Sequence, residues 1–312
     1  MVEVFFMLSG FGMMMGYKEQ IKQGQILFKN FLLKRLQKLY PLHFFTLILV
    51  SVLEFIILKK IGTTFVYPNY DLYHFFLNLL FLQNGFLGIE WSFNSPSWYI
   101  SILFIMYCLF YFLIKRATCE TEIVVNFTIG AVLGLILLLT GFNYPFFNSL
   151  IARGLSCFSI GVLLHYLWNN TIVRTHRVII GNIAFITCLF IYLVFRLRPH
   201  YLGNLQMLMV IGISPLLILS VLAFKPLNFI TSLKPITKLG ELSMHIYLIH
   251  FPVQCCIKVA DLYLGLGINY TSKKTWFFYI FSVIVAAVFC KLFLQWAKKK
   301  CEILECNNAI AQ

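Results

Sequence analysis

The chain has 312 residues, 60% of them hydrophobic and 12% charged, with a mean hydropathy of +0.85, whereas a soluble globule is roughly 45–50% apolar. This excludes a soluble fold and predicts an all-α polytopic transmembrane protein, with one integral domain over residues 1–300 and a short cytoplasmic tail at 301–312. The net charge of +14 lies in Lys and Arg clusters at the ends of apolar runs, a positive-inside pattern that points to membrane lipid and not to nucleic acid.

Nine apolar runs are long enough to span, near 2–17, 39–58, 98–114, 123–142, 149–168, 178–196, 206–224, 239–257 and 276–296. The first, "VEVFFMLSGFGMMMGY", has neither the basic start nor the small-residue cleavage site of a secretory signal. A tenth run, 72–89, is interrupted by His74, Asn78, Gln83 and Asn84. If it does not cross, sixteen Lys and Arg share one face against seven on the other; if it crosses, the split is eleven against twelve. Only the first arrangement follows the charge bias that orients membrane proteins. Residues 72–89 are therefore expected to be re-entrant or interfacial, with the C-terminus cytoplasmic and the first run starting outside. The nine cysteines are scattered without CxxC spacing, so no metal site is expected.

Polar residues inside apolar spans are costly, about 2.5–3.5 kcal/mol for a charge at the centre, and mark candidate functional positions. Glu3 and Ser9 lie in the first run, with Glu3 at its outer end. "FLLKRLQKLYP" carries Lys34, Arg35 and Lys38 at the cytoplasmic entry of the second, either as a topology anchor or as a clamp for an anionic cytosolic ligand. "NSPSWYIS" sets Asn94 and Pro96 before a span whose first turns carry Trp98 and Ser101 on one face. Arg153, within a span and on one face with Ser156, is expected to pair with Glu3 at the same outer depth. In "LGELSMHIYLIHFPV", Ser243, Tyr247 and His250 form one stripe, and Glu241 and His245 form a separate i, i+4 pair. The stripe argues for a cavity. Together Glu3, Ser9, Asn94, Trp98, Ser101, Arg153, Ser243, Tyr247 and His250 are the candidate cavity-lining residues.

At these segments the sequence resembles the acyltransferase type 3 family, multi-pass enzymes that acylate extracytoplasmic glycans and lipids. "VEVFFMLSGF" is similar to its "GVDLFFVLSGF", "FLLKRLQKLYP" to its "F-[KR]-R-x-x-R-x-Y-P" and "NSPSWYIS" to its "N-x-P-x-W-[FY]-L-S". "RGLSCFSIG" and "LGELSMHIYLIHFPV" resemble its "R-x-x-x-x-F-x-x-G" and "LGxxSYxxYLxHFPV", in the same order along the chain. The resemblance implies about ten helices and transfer of an acyl group such as acetyl from cytoplasmic acyl-CoA to a glycan or lipid-linked saccharide. It places the acyl-CoA donor at Arg35 and Lys38, with Lys34 beside them. No permanently bound cofactor is implied.

Relative to the family, the chain lacks the first helix and its histidine. No histidine precedes His43, which lies outside the family's motifs, so the catalytic residue is unknown and His250 is the substitute within a motif. Acyltransferase activity is thus expected if the full protein carries that helix. The alternatives are an inactive or truncated family member and a transporter or flippase, although no pair of broken-helix repeats supports the last.

Overall fold

The computed structural model describes residues 2–84, 89–197 and 205–310. In chain order the helices are α1 (Val2–Lys22), α2 (Phe28–Ile61), α3 (Leu72–Leu79), α4 (Trp98–Arg116), α5 (Glu120–Thr140), α6 (Ser149–Asn169), α7 (Thr171–Thr175), α8 (Arg177–Leu197), α9 (Leu205–Ala223), α10 (Lys225–Ser232), α11 (Lys234–Leu264) and α12 (Lys273–Ile310). A two-residue hairpin, β1 (Asn143–Tyr144) and β2 (Phe147–Asn148), links α5 to α6. All nine predicted spans fall on long helices. Among the described residues, seven helices are long and apolar enough to cross a membrane, or eight if α9 and α10, bent by 80° at their junction, form one broken span. The helix α1 falls outside that set, its apolar run being diluted by Glu3, Lys18 and Glu19. The chain is a polytopic all-α membrane protein.

The run 72–89 does not form a spanning helix in its described part. Its helix α3 has eight residues, a rise of about 12 Å against the ~30 Å hydrocarbon core. Residues 85–88 of that expectation lie outside the described residues. The expected tail at 301–312 begins as a continuation of α12, which is helical without a break to Ile310.

Contacts divide the chain into two units. The first contains Met1–Lys34, Asn84–Ile89 and Tyr99–Thr237. Here α1 and α6 run parallel and α5 runs against them: Arg153 near the start of α6 reaches Glu3 near the start of α1, whereas Tyr166 near its end meets Glu120 at the start of α5. Helices in lipid gain little from mutual apolarity, so they associate through close packing of small residues. A Cβ on Gly10 would lie 2.2 Å from the Phe158 carbonyl oxygen, one on Gly161 2.0 Å from that of Met7, and one on Gly134 2.6 Å from the Ser156 nitrogen. Backbone therefore meets backbone along both faces of α6. Phe6, Phe127 and Phe158 fill the space beside these crossings. The outer stripe of α8 (Ile179, Ile183, Ile186 and Phe190) is exposed, as a lipid-facing surface should be.

The second unit contains Arg35–Gln83, Glu90–Trp98 and Lys238–Gln312. The buried stripe of α2 (Leu39, Leu42, His43, Thr46, Leu47, Val50, Leu53, Glu54 and Ile57) follows helical spacing and continues through Pro41. Its lower half packs with Phe93, Phe251 and Cys255, flanked by Tyr67, Tyr70 and Phe75. The connecting segment after α2 thus folds back onto α2 and α11. Asp71 starts α3 by accepting the His74 backbone N–H at 2.8 Å.

Candidate functional site

In the first unit the expected ion pair is formed. Arg153 donates to one oxygen of Glu3 from Nε at 2.9 Å and from Nη2 at 2.5 Å, and Glu3 is 2% exposed. Both guanidinium donors converge on Oε1, so the pair is charge-assisted but not a two-oxygen fork. Ser9 and Tyr99 hydroxyls lie 3.3 Å apart between α1 and α4. Ser101 is fully buried, and its Oγ has no hydrogen-bond partner among the described residues. Ser156, in contrast, donates back to the Ala152 carbonyl of its own helix at 2.8 Å.

The second unit joins two of the predicted segments. Asn94 Nδ2 donates to the Leu248 carbonyl at 2.9 Å, and the Tyr247 hydroxyl donates to the Pro96 carbonyl at 2.6 Å. Trp98 is buried. Ser243 is half-buried one turn before Tyr247. The expected pairing of Glu241 with His245 is not made: Glu241 instead accepts from Lys291 of α12 at 2.9 Å, a full charge being a better partner for a carboxylate than a neutral imidazole one turn away.

His250 lines a cavity of about 440 Å³ with Gln254, Ile257, Tyr270, Thr275, Trp276 and Tyr279. Its Nδ1 donates to the Tyr247 carbonyl at 2.5 Å, because a carbonyl can only accept; Nε2 therefore carries the lone pair in the neutral ring. The Tyr279 hydroxyl, in turn, donates to the His250 carbonyl at 3.0 Å.

On α2, Arg35 is half-buried at the head of the inward stripe, and Lys34 and Lys38 are exposed on either side. This separates the roles the three can take. Arg35 presents a planar fork at the edge of the packed interior, and the lysines add mobile positive charge around it.

Of the polar layer beside this stripe, sequence reasoning named Asn94 as a cavity-lining candidate and gave the other members no role at the site. His43, Thr46, Asn78, Ser92, Asn94 and Ser97 are all buried. His43 Nε2 donates to the Asn78 carbonyl at 2.8 Å, Asn78 Nδ2 donates to the Ser92 hydroxyl at 2.9 Å, and Gln83 bonds Ser97 at 3.2 Å. Glu54, 2% exposed, accepts the Phe65 N–H at 3.1 Å and lines a second cavity of about 350 Å³ with Ser51, Tyr70 and Asp71. The signal was present in the sequence: His43, Thr46, Ser51 and Glu54 fall within about 140° of one helical face.

Next to this layer His74 sits between two carboxylates, its Nδ1 2.8 Å from Asp71 and its Nε2 2.7 Å from Glu90. Burial alone would lower the His74 pKa, but the hydrogen bonds and charges of Glu90 and Asp71 outweigh it and raise the pKa above the ordinary value. The backbone N–H of His74, followed by its ring, holds the Asp71 carboxyl below its usual range.

Against known proteins, a family model described as an acyltransferase domain matches residues 1–295. No curated protein and no solved structure matches the chain.

Proposed function

The chain belongs to the acyltransferase 3 family, and on that premise we propose that it transfers an acyl group, acetyl in the simplest case, from acyl-CoA to a hydroxyl of an extracytoplasmic polysaccharide or glycolipid. The donor is a substrate and approaches from the cytoplasm, the side on which the charge bias also places the C-terminus of this cytoplasmic-membrane protein. The observation that carries the reading is the placement of Arg35, half-buried where the inward stripe of α2 begins, between the exposed Lys34 and Lys38. A guanidinium at that edge binds phosphate oxygens in two parallel hydrogen bonds. The lysines act as point charges, and Lys38 stands where the family pattern has a second arginine. The thioester arm then runs inward along α2.

The acceptor enters from the opposite side. The cavity around His250 suits a saccharide because Tyr270, Trp276 and Tyr279 offer ring faces and Gln254 and Thr275 offer hydrogen bonds. Membranes carrying the full chain should transfer label from acetyl-CoA to a saccharide acceptor. A hydrogen bond to a charged group contributes about 1.5–3 kcal/mol, so Arg35→Ala with Lys38→Ala should raise the KM for acetyl-CoA by about a hundredfold or more. An unchanged KM refutes the donor site.

A further inference from the structure

We propose that the cavity beside Glu54 is a binding site for an organic ammonium group, with the Glu54 carboxylate as its counter-charge. The inference goes beyond the acyl-transfer reading and does not depend on it. Glu3 and Glu54 are the two buried carboxylates among the described residues, each 2% exposed. Glu3 is neutralised by Arg153. Glu54 has no cation within ion-pair distance among the described residues: its Oε2 accepts the Phe65 backbone N–H at 3.1 Å, and its Oε1 lies 3.8 Å from the Cys255 thiol. A buried charge is retained when it is paired. One of these two carboxylates is complete within the chain, and the other lacks its partner.

The nearby cations of the chain are directed elsewhere. Lys59 and Lys60 follow Glu54 by five and six residues, which turns them about 140° and 120° away from it around α2. Lys59 Nζ lies 5.1 Å from the centre of the Phe55 ring, and Lys60 Nζ lies 5.1 Å from that of Tyr263. His74 spends both ring nitrogens, one on Asp71 and one on Glu90, so Asp71 at the cavity wall is already paired. What remains beside Glu54 is open space of about 350 Å³, with no Lys or Arg among the residues that line it.

That space has the chemistry an ammonium needs. Tyr70, Phe75 and Phe93 contribute to its wall and pack edge-on, with Phe93 4.9 Å from Tyr70 and 5.8 Å from Phe75 between ring centres. A cation withdrawn from water is attracted to such ring faces. The Tyr70 hydroxyl lies beside Glu54 without a hydrogen bond of good geometry. The Ser51 hydroxyl donates to the Leu47 carbonyl at 2.8 Å, which leaves its lone pairs for a donor. An ammonium brings a full charge and several N–H donors, whereas a neutral hydroxyl brings one donor and leaves the carboxylate unneutralised. Phe55 and Leu72 line the cavity and are themselves exposed, so its rim is open to a guest. The volume is at the lower end for ligand sites and admits one small group. Glu54 also lies about 28 Å along α2 from Arg35, at the opposite end of the helix from the proposed donor clamp. Two sources carry the required group: an amino sugar and the ethanolamine headgroup of a phospholipid.

The test uses the full chain in phosphatidylglycerol nanodiscs, without acyl-CoA, and radiolabelled glucosamine as the probe. Glucosamine should bind saturably and be displaced by ethanolamine but not by the same concentration of glucose. Glu54→Gln should weaken its binding about tenfold or more. Ser51→Leu, which fills the cavity and keeps the carboxylate, should weaken it as much, and thermal unfolding shows which variants are folded, so either one decides. Nanodiscs of phosphatidylethanolamine separate the sources: loss of glucosamine binding there assigns the site to the headgroup, and unchanged binding assigns it to an amino sugar. No saturable binding to the unsubstituted chain overturns the proposal. So does displacement by glucose as effective as that by ethanolamine, or an affinity within about threefold of the unsubstituted chain in a folded Glu54→Gln or Ser51→Leu variant.

Discussion

Gly10 and Gly12 lie two residues apart on α1, and alanine at the two positions should have opposite consequences. A Cβ at Gly10 would sit 2.2 Å from the Phe158 carbonyl oxygen and 3.1 Å from the Val162 nitrogen, whereas one at Gly12 meets nothing within 4 Å. Ordinary contact begins near 3.4 Å, so Gly10→Ala must drive α1 and α6 apart by about 1 Å. The obstructing atoms are backbone and cannot swing away as a side-chain tip does, and overpacking of this kind costs about 1–3 kcal/mol or more. Moving the helices also loosens Phe6 and Met7, both fully buried. Gly10→Ala is therefore placed at the upper end, about 3 kcal/mol destabilising. Gly12→Ala adds a methyl to open space and favours the helix by up to about 1 kcal/mol. Thermal unfolding of the purified chain, followed by intrinsic fluorescence in one detergent, reads both. At about 2–4 °C per kcal/mol for a protein of this size class, Gly10→Ala should lower Tm by roughly 6–12 °C, with Gly12→Ala unchanged or slightly raised. Equal effects, or a wild-type Tm for Gly10→Ala, would refute the argument that backbone contact between α1 and α6 holds the first unit together.

The Glu3–Arg153 pair should show strong coupling. Glu3→Ala leaves a largely buried guanidinium without its carboxylate, a loss of about 3–5 kcal/mol, and Glu3→Ala with Arg153→Met should recover much of it; a double-mutant cycle that is additive within about 0.5 kcal/mol rejects the pair. His74 predicts a pH signature with a definite sign. Its folded pKa is raised above 6.5, so the stability it contributes is fully present below that value and lost as pH rises through the folded pKa. The Asp71 carboxyl, lowered below 3.8, contributes above that value and loses its contribution as pH falls through its depressed pKa. The Tm difference between the chain and His74→Gln should accordingly be larger at pH 6 than at pH 9, and a difference that does not vary over that range contradicts the clamp.

Composition and spacing alone established that this is a polytopic helical membrane protein, because an apolar run of about 20 residues has one stable fate in a bilayer. The Lys and Arg census set residues 72–89 apart from the spanning helices, as holds for the described part of that run, and the acid at the head of α1 found its arginine on α6, since an ion at that depth is retained only with a partner. Tertiary structure alone decided the rest. His43 was discounted for lying outside a motif, yet its ring is held by the Asn78 carbonyl at the end of α3 and packs against Phe81, which the chain brings back onto α2 from more than thirty residues away. Glu241 passed over the histidine one turn along its own helix for Lys291, fifty residues distant. Helical periodicity says which residues share a face. It says nothing of what that face meets, and the charge, tautomer and partner of a buried polar group are set by the element packed against it.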